Sequence, residues 1–233
     1  MAKTLVIFDI DGTLVYSNKI DSQCFATTYL GIYGFEFPTI DWTKYPHVTD
    51  TTIFKTVIRG HFDREAGVAE MEAFQHQYVA LLEEKRRVEP SDFQEVPFAR
   101  RTVERLLEDD RFVVGIGTGG WLRPAHVKLA HVEIPVKSLV VAAADGHEQR
   151  EGIIGQVVGA VALTHEIDRT VYVGDAIWDV DTTRRMGMNF IGIRREGDFE
   201  VLRNVGTKTV LKDYSDYELF LHSVFESEPP RAF

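Results

Sequence analysis

Cysteine is nearly absent: Cys24 is the only one in 233 residues. That excludes an intrachain disulfide and a cysteine-based zinc site, and it fits a reducing compartment. Positive charge is also short, with 26 Lys and Arg against 36 Asp and Glu. The net charge of -10 argues against non-specific nucleic-acid binding, which depends on excess basic residues facing phosphate. No apolar run is long enough to span a bilayer, and the first residues lack the basic region and long apolar stretch of a secretory signal. Internal repeats, low-complexity tracts and an uncovered apolar stripe are missing too. The expectation is a cytoplasmic, soluble monomer that binds neither nucleic acid nor membrane. Lys85-Arg86-Arg87 and Arg184-Arg185 are too short for an anion-binding tract and read as solvated helix faces or ends. An acidic protein that handles anions must gather its positive charge locally.

What is present begins with Leu5-Val6-Ile7-Phe8-Asp9-Ile10-Asp11-Gly12-Thr13. The apolar run is β-branched-rich and continuous, which suits a strand buried on both faces. In extended geometry Asp9 and Asp11 leave on the same face, and Gly12 lets the chain turn sharply. Such a tip can hold a hard cation through oxygen and leave a carboxylate to attack an electrophile. Asp11-Gly12 between two apolar runs is equally a hairpin turn with no chemistry. A calcium loop does not fit, because Thr13 and Leu14 stand where an acid or amide and a glycine are needed.

The length suffices for one large domain or a core with an insert, burying roughly 70 to 75% of the unfolded surface. Residues 17–95 read as a helical insert, with helices at 21–33 and 50–60 and a longer one in which Val68, Met71, Phe74, Tyr78 and Leu81 recur at helical spacing. That stripe is expected to be core. Lys85 to Arg87 complement the dipole in its last turn and Pro90 ends it. From residue 98 strands and helices alternate: strands at 112–118, 138–143, 170–175 and 189–193, helices at 99–108, 124–131, 152–164 and 179–186. A closing helix spans 214–225, and the acidic tail after it is expected to fray. Alternation of this kind predicts an α/β fold, a Rossmann-like doubly wound parallel sheet core, with residues 1–16 and 96–233 as core and 17–95 as a small all-helical domain. Parallel strands put their C-terminal ends on one edge. Asp9 and Asp11, Thr118 and Asp175 all stand at such ends.

On these motifs the chain resembles the haloacid dehalogenase superfamily, in its phosphatase-type members with a helical cap inserted after the first motif, the subgroup of phosphoglycolate phosphatase and phosphoglucomutase. The matching pieces are Asp9-Ile10-Asp11-Gly12-Thr13 after a strand, Thr118 at the end of the second, and Gly174-Asp175 followed by Asp179. The resemblance implies a Mg2+-dependent phosphatase acting on a small phosphorylated metabolite through an aspartyl-phosphate. It implies Asp9 as nucleophile and Asp11 as acid and base. Mg2+ would be held by Asp9, the Asp11 carbonyl and Asp175, with Asp179 as an outer ligand, and the phosphoryl oxygens by Thr118, Gly119 and Gly120. The usual lysine of the third motif is missing. Arg150 in His147-Glu148-Gln149-Arg150-Glu151 is assigned there, with Lys128 and Lys137 in reserve and Lys128 expected on a solvated helix face. The acid at Asp11 favours phosphate esters over dehalogenation. Val48-Thr49-Asp50-Thr51 lacks the cap cation of a mutase, which favours hydrolase over phosphomutase.

Two other classes compete. Gly115-Ile116-Gly117-Thr118-Gly119-Gly120 fits a dinucleotide-binding fingerprint with Asp145 downstream, but leaves Asp9, Asp11 and Asp175 without a task. A non-catalytic binding module keeps the fold and loses turnover. His126 and His131 are five apart and form no metal pair; His147 is notable only for its position. Trp178 is expected to pack. Lys19, Lys44 and Thr49 are the candidate cap contacts, and phosphoglycolate, sugar phosphates and nucleotides all remain open as substrates.

Overall fold

Leu5, Val6, Ile7 and Phe8 are wholly buried, as a β-branched-rich run between two covering layers should be, and they form most of β1 (Lys3–Phe8). The structure, a computed structural model, describes residues 2–232. After β1 come β2 (Val15–Tyr16), α1 (Asn18–Tyr33), α2 (Asp50–Phe62), α3 (Val68–Val88), β3 (Gln94–Glu95) and α4 (Ala99–Leu107). The alternating half follows: β4 (Phe112–Gly117), α5 (Leu122–His131), β5 (Val140–Ala142), α6 (Arg150–Ala162), β6 (Ile167–Gly174), α7 (Ile177–Met186), β7 (Asn189–Ile193), α8 (Glu200–Arg203), β8 (Val210–Leu211) and α9 (Tyr217–Glu226).

The strands form one six-stranded sheet in the order β5-β4-β1-β6-β7-β8, with every adjacent pair parallel. The chain therefore runs outward from β1 through β4 to β5, crosses back to β6 on the other side of β1, and runs outward again. The order reverses at β1, and such a reversal leaves a crevice beyond the strand ends. Phe8 is in register with both Ile116 and Val173, so Asp9, Thr118 and Asp175 leave the sheet side by side. Strand alternation sends Leu5 and Ile7 to one face, where side chains of α6 lie over Gly115 and Gly117. It sends Phe8 to the other, where its ring stacks on Phe220 of α9 at 6.1 Å.

Helices α1 to α3 pack around Phe25, Phe54 and Phe74, whose centroids lie 4.8 to 4.9 Å apart along the cluster. The α3 stripe is core, as expected, but rotated. Val68 is 72% exposed, and Leu82 rather than Leu81 is fully buried with Phe74 and Tyr78. At the neck, where residues 17–95 leave and rejoin the rest of the chain, β2 and β3 pair antiparallel, Val15 with Glu95 and Tyr16 with Gln94.

Two expectations are overturned. Lys128 does not lie on a solvated face. It is 1% exposed, because α5 is covered by α3, a packing between segments far apart in sequence. The tail does not fray: Phe190 N–H donates to the Glu228 carbonyl at 3.2 Å, Arg231 N–H to Gly206 at 3.0 Å, and Arg184 Nε to the Arg231 carbonyl at 2.9 Å. These bonds tie the last described residues to α7, β7 and the loop after α8. Among the described residues no helix is long and apolar enough to cross a membrane.

Candidate active site

Asp9 follows the last residue of β1 and is 5% exposed. A carboxylate so buried needs partners. Arg150 is one: its Nη2 lies 3.2 Å from Asp9 Oδ2 and 2.7 Å from Asp179 Oδ1. The same nitrogen donates to the Tyr172 hydroxyl at 3.0 Å, which itself donates to the Gly117 carbonyl at 2.8 Å. Arg150 Nη1 donates to the Val48 carbonyl at 3.3 Å, so the guanidinium joins sheet edge and helical insert. Arg150, assigned from the sequence to the third motif, is thus a buried side chain in contact with Asp9. Tyr172, which sequence reasoning passed over, anchors it; a hydroxyl in the middle of an apolar strand was the available signal.

Asp9 Oδ1 is buried and has no hydrogen-bond partner. Oxygens of Asp9, Asp175 and Asp179 lie within 4.8 Å of one another, the kind of hard-oxygen set that suits Mg2+. Asp175 receives a hydrogen bond from Asn18 Nδ2 at 3.3 Å and faces Arg194 at 3.8 Å. Asp179 is more committed: besides Arg150, its Oδ2 accepts from Ala176 N–H at 3.1 Å, capping α7. Gly12 matters here, because its φ is +77° and a Cβ would fall 2.0 Å from Asp175 Oδ2. Any larger residue displaces that carboxylate.

The charges are crowded. Burial raises Asp9 above the ordinary carboxylate range, Arg150 opposes the rise, and Asp11 adds to it. Burial, then Asp179 and Asp9, push Asp175 well up. Burial lifts Asp179 to about 7, with Arg150 pulling down and Asp9 pushing up. For Arg150 burial works against the charge, but Asp179, Tyr172 and Asp9 raise its pKa well above the usual value. Three buried carboxylates share one fully buried cation, so the set is short of positive charge.

Asp11 is held on both oxygens. Oδ1 accepts from Ser17 Oγ at 2.6 Å and Oδ2 from Lys128 Nζ at 2.5 Å. Lys128 also donates to Asp21 Oδ1 at 2.8 Å, which accepts from the Tyr78 hydroxyl at 2.5 Å. Burial disfavours the charged lysine, but Asp11 and Asp21 outweigh it and raise its pKa. Lys128, Asp21 and Tyr78 were not read from the sequence as one group, since they come from α5, α1 and α3.

Thr118 is 2% exposed, and its Oγ1 accepts from Gly120 N–H at 3.2 Å. Gly119 is tightly packed: a Cβ there would meet Arg150 Nη1 at 2.2 Å and the Val48 carbonyl at 2.6 Å. The space a pyrophosphate needs over a dinucleotide fingerprint is therefore taken by a guanidinium. Asp145 accepts from Leu122 N–H at 2.7 Å at the start of α5. Asp9, Asp11, Thr118, Gly119, Gly120, Arg150 and Asp175 line one cavity of about 410 Å3, with Lys19, Thr49 and Trp178 on its wall. Thr49 also donates to the Glu148 carbonyl at 3.0 Å, bridging insert and core. Lys44 pairs with Asp41 at 3.8 Å and is 69% exposed; it and the exposed Lys137 do not line the cavity. His147 bonds Gln156 at 2.7 Å.

The profile of the haloacid dehalogenase-like hydrolases matches residues 6–193. Among solved structures, a hydrolase from Pseudomonas syringae superposes with a TM-score of 0.73 at 18% identity over 95% of this chain and 99% of that one. CbbY from Rhodobacter sphaeroides, in complex with phosphate, gives 0.67 at 14% over 93% and 96%. A haloacid dehalogenase-like family protein from Streptococcus pneumoniae gives 0.57 at 17% over 94% and 98%. Among curated proteins none matches. With the profile covering β1 through β7 and the carboxylates at the strand ends, the chain belongs to the haloacid dehalogenase-like hydrolases.

Proposed function

We propose that the protein is a Mg2+-dependent phosphatase that hydrolyses a small phosphate monoester through an aspartyl-phosphate on Asp9. The observation that carries this reading is the unpartnered, buried Asp9 Oδ1 in a cavity whose buried cation, Arg150, touches the same carboxylate. The phosphate bound to CbbY and the xylulose-(1,5)bisphosphate bound to a variant of it show that related folds accept such ligands.

In the proposed reaction a carboxylate oxygen of Asp9 forms a bond to phosphorus as the ester P–O bond breaks. Asp11 gives its proton to the leaving oxygen, then takes one from the water that attacks the acyl phosphate, releasing phosphate and restoring Asp9. Thr118 and the Gly119 and Gly120 amides hold the transferring oxygens, and Arg150 balances their charge. Mg2+, held by Asp9, the Asp11 carbonyl and Asp175 with Asp179 beyond them, would neutralise the repulsion between carboxylate and phosphate. Residues 17–95 serve as the cap that excludes water, on a core of residues 1–16 and 96–233.

The test is phosphate release from a panel of monoesters with and without Mg2+, for the wild-type chain and Asp9→Asn. Release that needs Mg2+ and disappears in the variant is expected; activity untouched by Asp9→Asn rejects the mechanism.

A further inference from the structure

The cavity extends from Asp9 to the helical insert, where Phe25, Ile40, Trp42 and Ile53 supply apolar walls and Asp21 and Asp50 the polar ones. Its supply of free positive charge is small. Arg150 is engaged by Asp9 and Asp179. Lys128, next to the cavity, is engaged by Asp11 and Asp21. Lys19 lines the wall but is exposed, where water and salt screen it. Asp50 accepts a hydrogen bond from Trp121 N–H at 2.9 Å and has no cation among the ion pairs of the described residues. Asp21 and Asp50, both from the insert, and Asp11 thus have one buried lysine among them.

We infer that the site selects monoesters of uncharged alcohols with an apolar face, and rejects substrates with a second anionic group, such as phosphorylated carboxylic acids and bisphosphates. The inference rests on the phosphatase reading for placing the phosphoryl group beside Asp9. With that end fixed, the alcohol part lies against Asp21, Asp50 and the aromatic walls. A second anion there meets like charge in a partly dry cleft, where repulsion is several times stronger than in water. A ring or alkyl face instead covers Ile40 and Trp42 and keeps its hydroxyls for the carboxylates.

The experiment is calorimetric binding to the Asp9→Asn chain with Mg2+ present, using pairs that differ in charge: hydroxyethyl phosphate against phosphoglycolate, and a hexose monophosphate against the matching bisphosphate. The uncharged-alcohol member of each pair is expected to bind at least about tenfold more tightly. Asp21→Asn, added to that chain, keeps an oxygen for Tyr78 and Lys128 but removes one negative charge, and is expected to narrow the gap severalfold. Equal or tighter binding of the doubly anionic members overturns the inference, as does a gap unmoved by Asp21→Asn. Phosphate release by the wild-type chain separates the two readings. Turnover that favours the doubly anionic esters overturns the selectivity and leaves the phosphatase standing. The binding preference without turnover of the preferred esters supports the selectivity and removes the phosphatase. Binding of none removes both.

Discussion

Arg150 is the first residue of α6, where unpaired N–H groups make a cation unfavourable. The charge is offset there by Asp9 and Asp179 in front of it. Lysine keeps the charge but cannot reach Tyr172, Val48 and both carboxylates from one planar group. Arg150→Lys should therefore lower kcat on the order of a hundredfold through misplacement while the fold, followed by circular dichroism, stays intact. Lys128 is a different case, since its removal strands Asp11 and Asp21 in a dry place. Lys128→Met should cost roughly 3 to 5 kcal/mol in urea unfolding, and adding Asp21→Asn should return part of the loss. Simple additivity of the two would show that the pair is not coupled. The carboxylates at the strand ends make stability depend on pH. Asp179 is raised from 3.8 to about 7, so the folded state resists its ionisation and stability present in acid is lost as pH rises through that interval. A divalent cation, if bound to the ionised set, would offset the loss. Mg2+ should raise the Tm more at about pH 8 than at about pH 5, and equal shifts at both would contradict a carboxylate site.

Trp121 precedes α5 in the alternating half of the chain, yet its fully buried ring stacks on Phe25 at 5.7 Å and its Nε1 donates to Thr51 Oγ1 at 2.9 Å. The insert's aromatic core is completed from outside the insert. Trp121→Ala should cost roughly 3 to 5 kcal/mol and, because it unfastens α1 to α3 from α5, should split thermal unfolding into two steps by calorimetry; a single step at lower Tm would deny the coupling. This element also shows where sequence reading stops. Strands such as β1 and β4 were legible because a buried parallel strand must be apolar along its whole length, and Asp9 and Thr118 at their ends because polar residues there break that pattern. Helix α5 was legible as a helix, but which face it buries depends on α3, some fifty residues earlier in the chain. Lys128 consequently read as solvated. The rotated stripe of α3 has the same origin: Leu81 and Leu82 are equivalent by composition, and only the partner decides between them.

Across the whole molecule, β1 lies between β4 and β6 and the neck strands β2 and β3 pair where the insert leaves and rejoins the core. Backbone pairing and the Trp121 cluster therefore make one interdependent body of two halves. The wild-type chain should unfold in one calorimetric transition, with agreement between measured and van't Hoff enthalpies; two resolved transitions would show that the insert folds by itself.

The central position of β1 also bears on how the protein is made. Its first neighbour, β4, is complete at Gly117 and its second, β6, at Gly174, so β1 waits for about half of the 233 residues before one edge is covered and for about three-quarters before both are. The helices of the insert emerge in that interval, and they too wait for Trp121. During translation the nascent chain therefore carries a bare apolar strand and an unfinished aromatic cluster together, the kind of exposed surface that chaperones recognise.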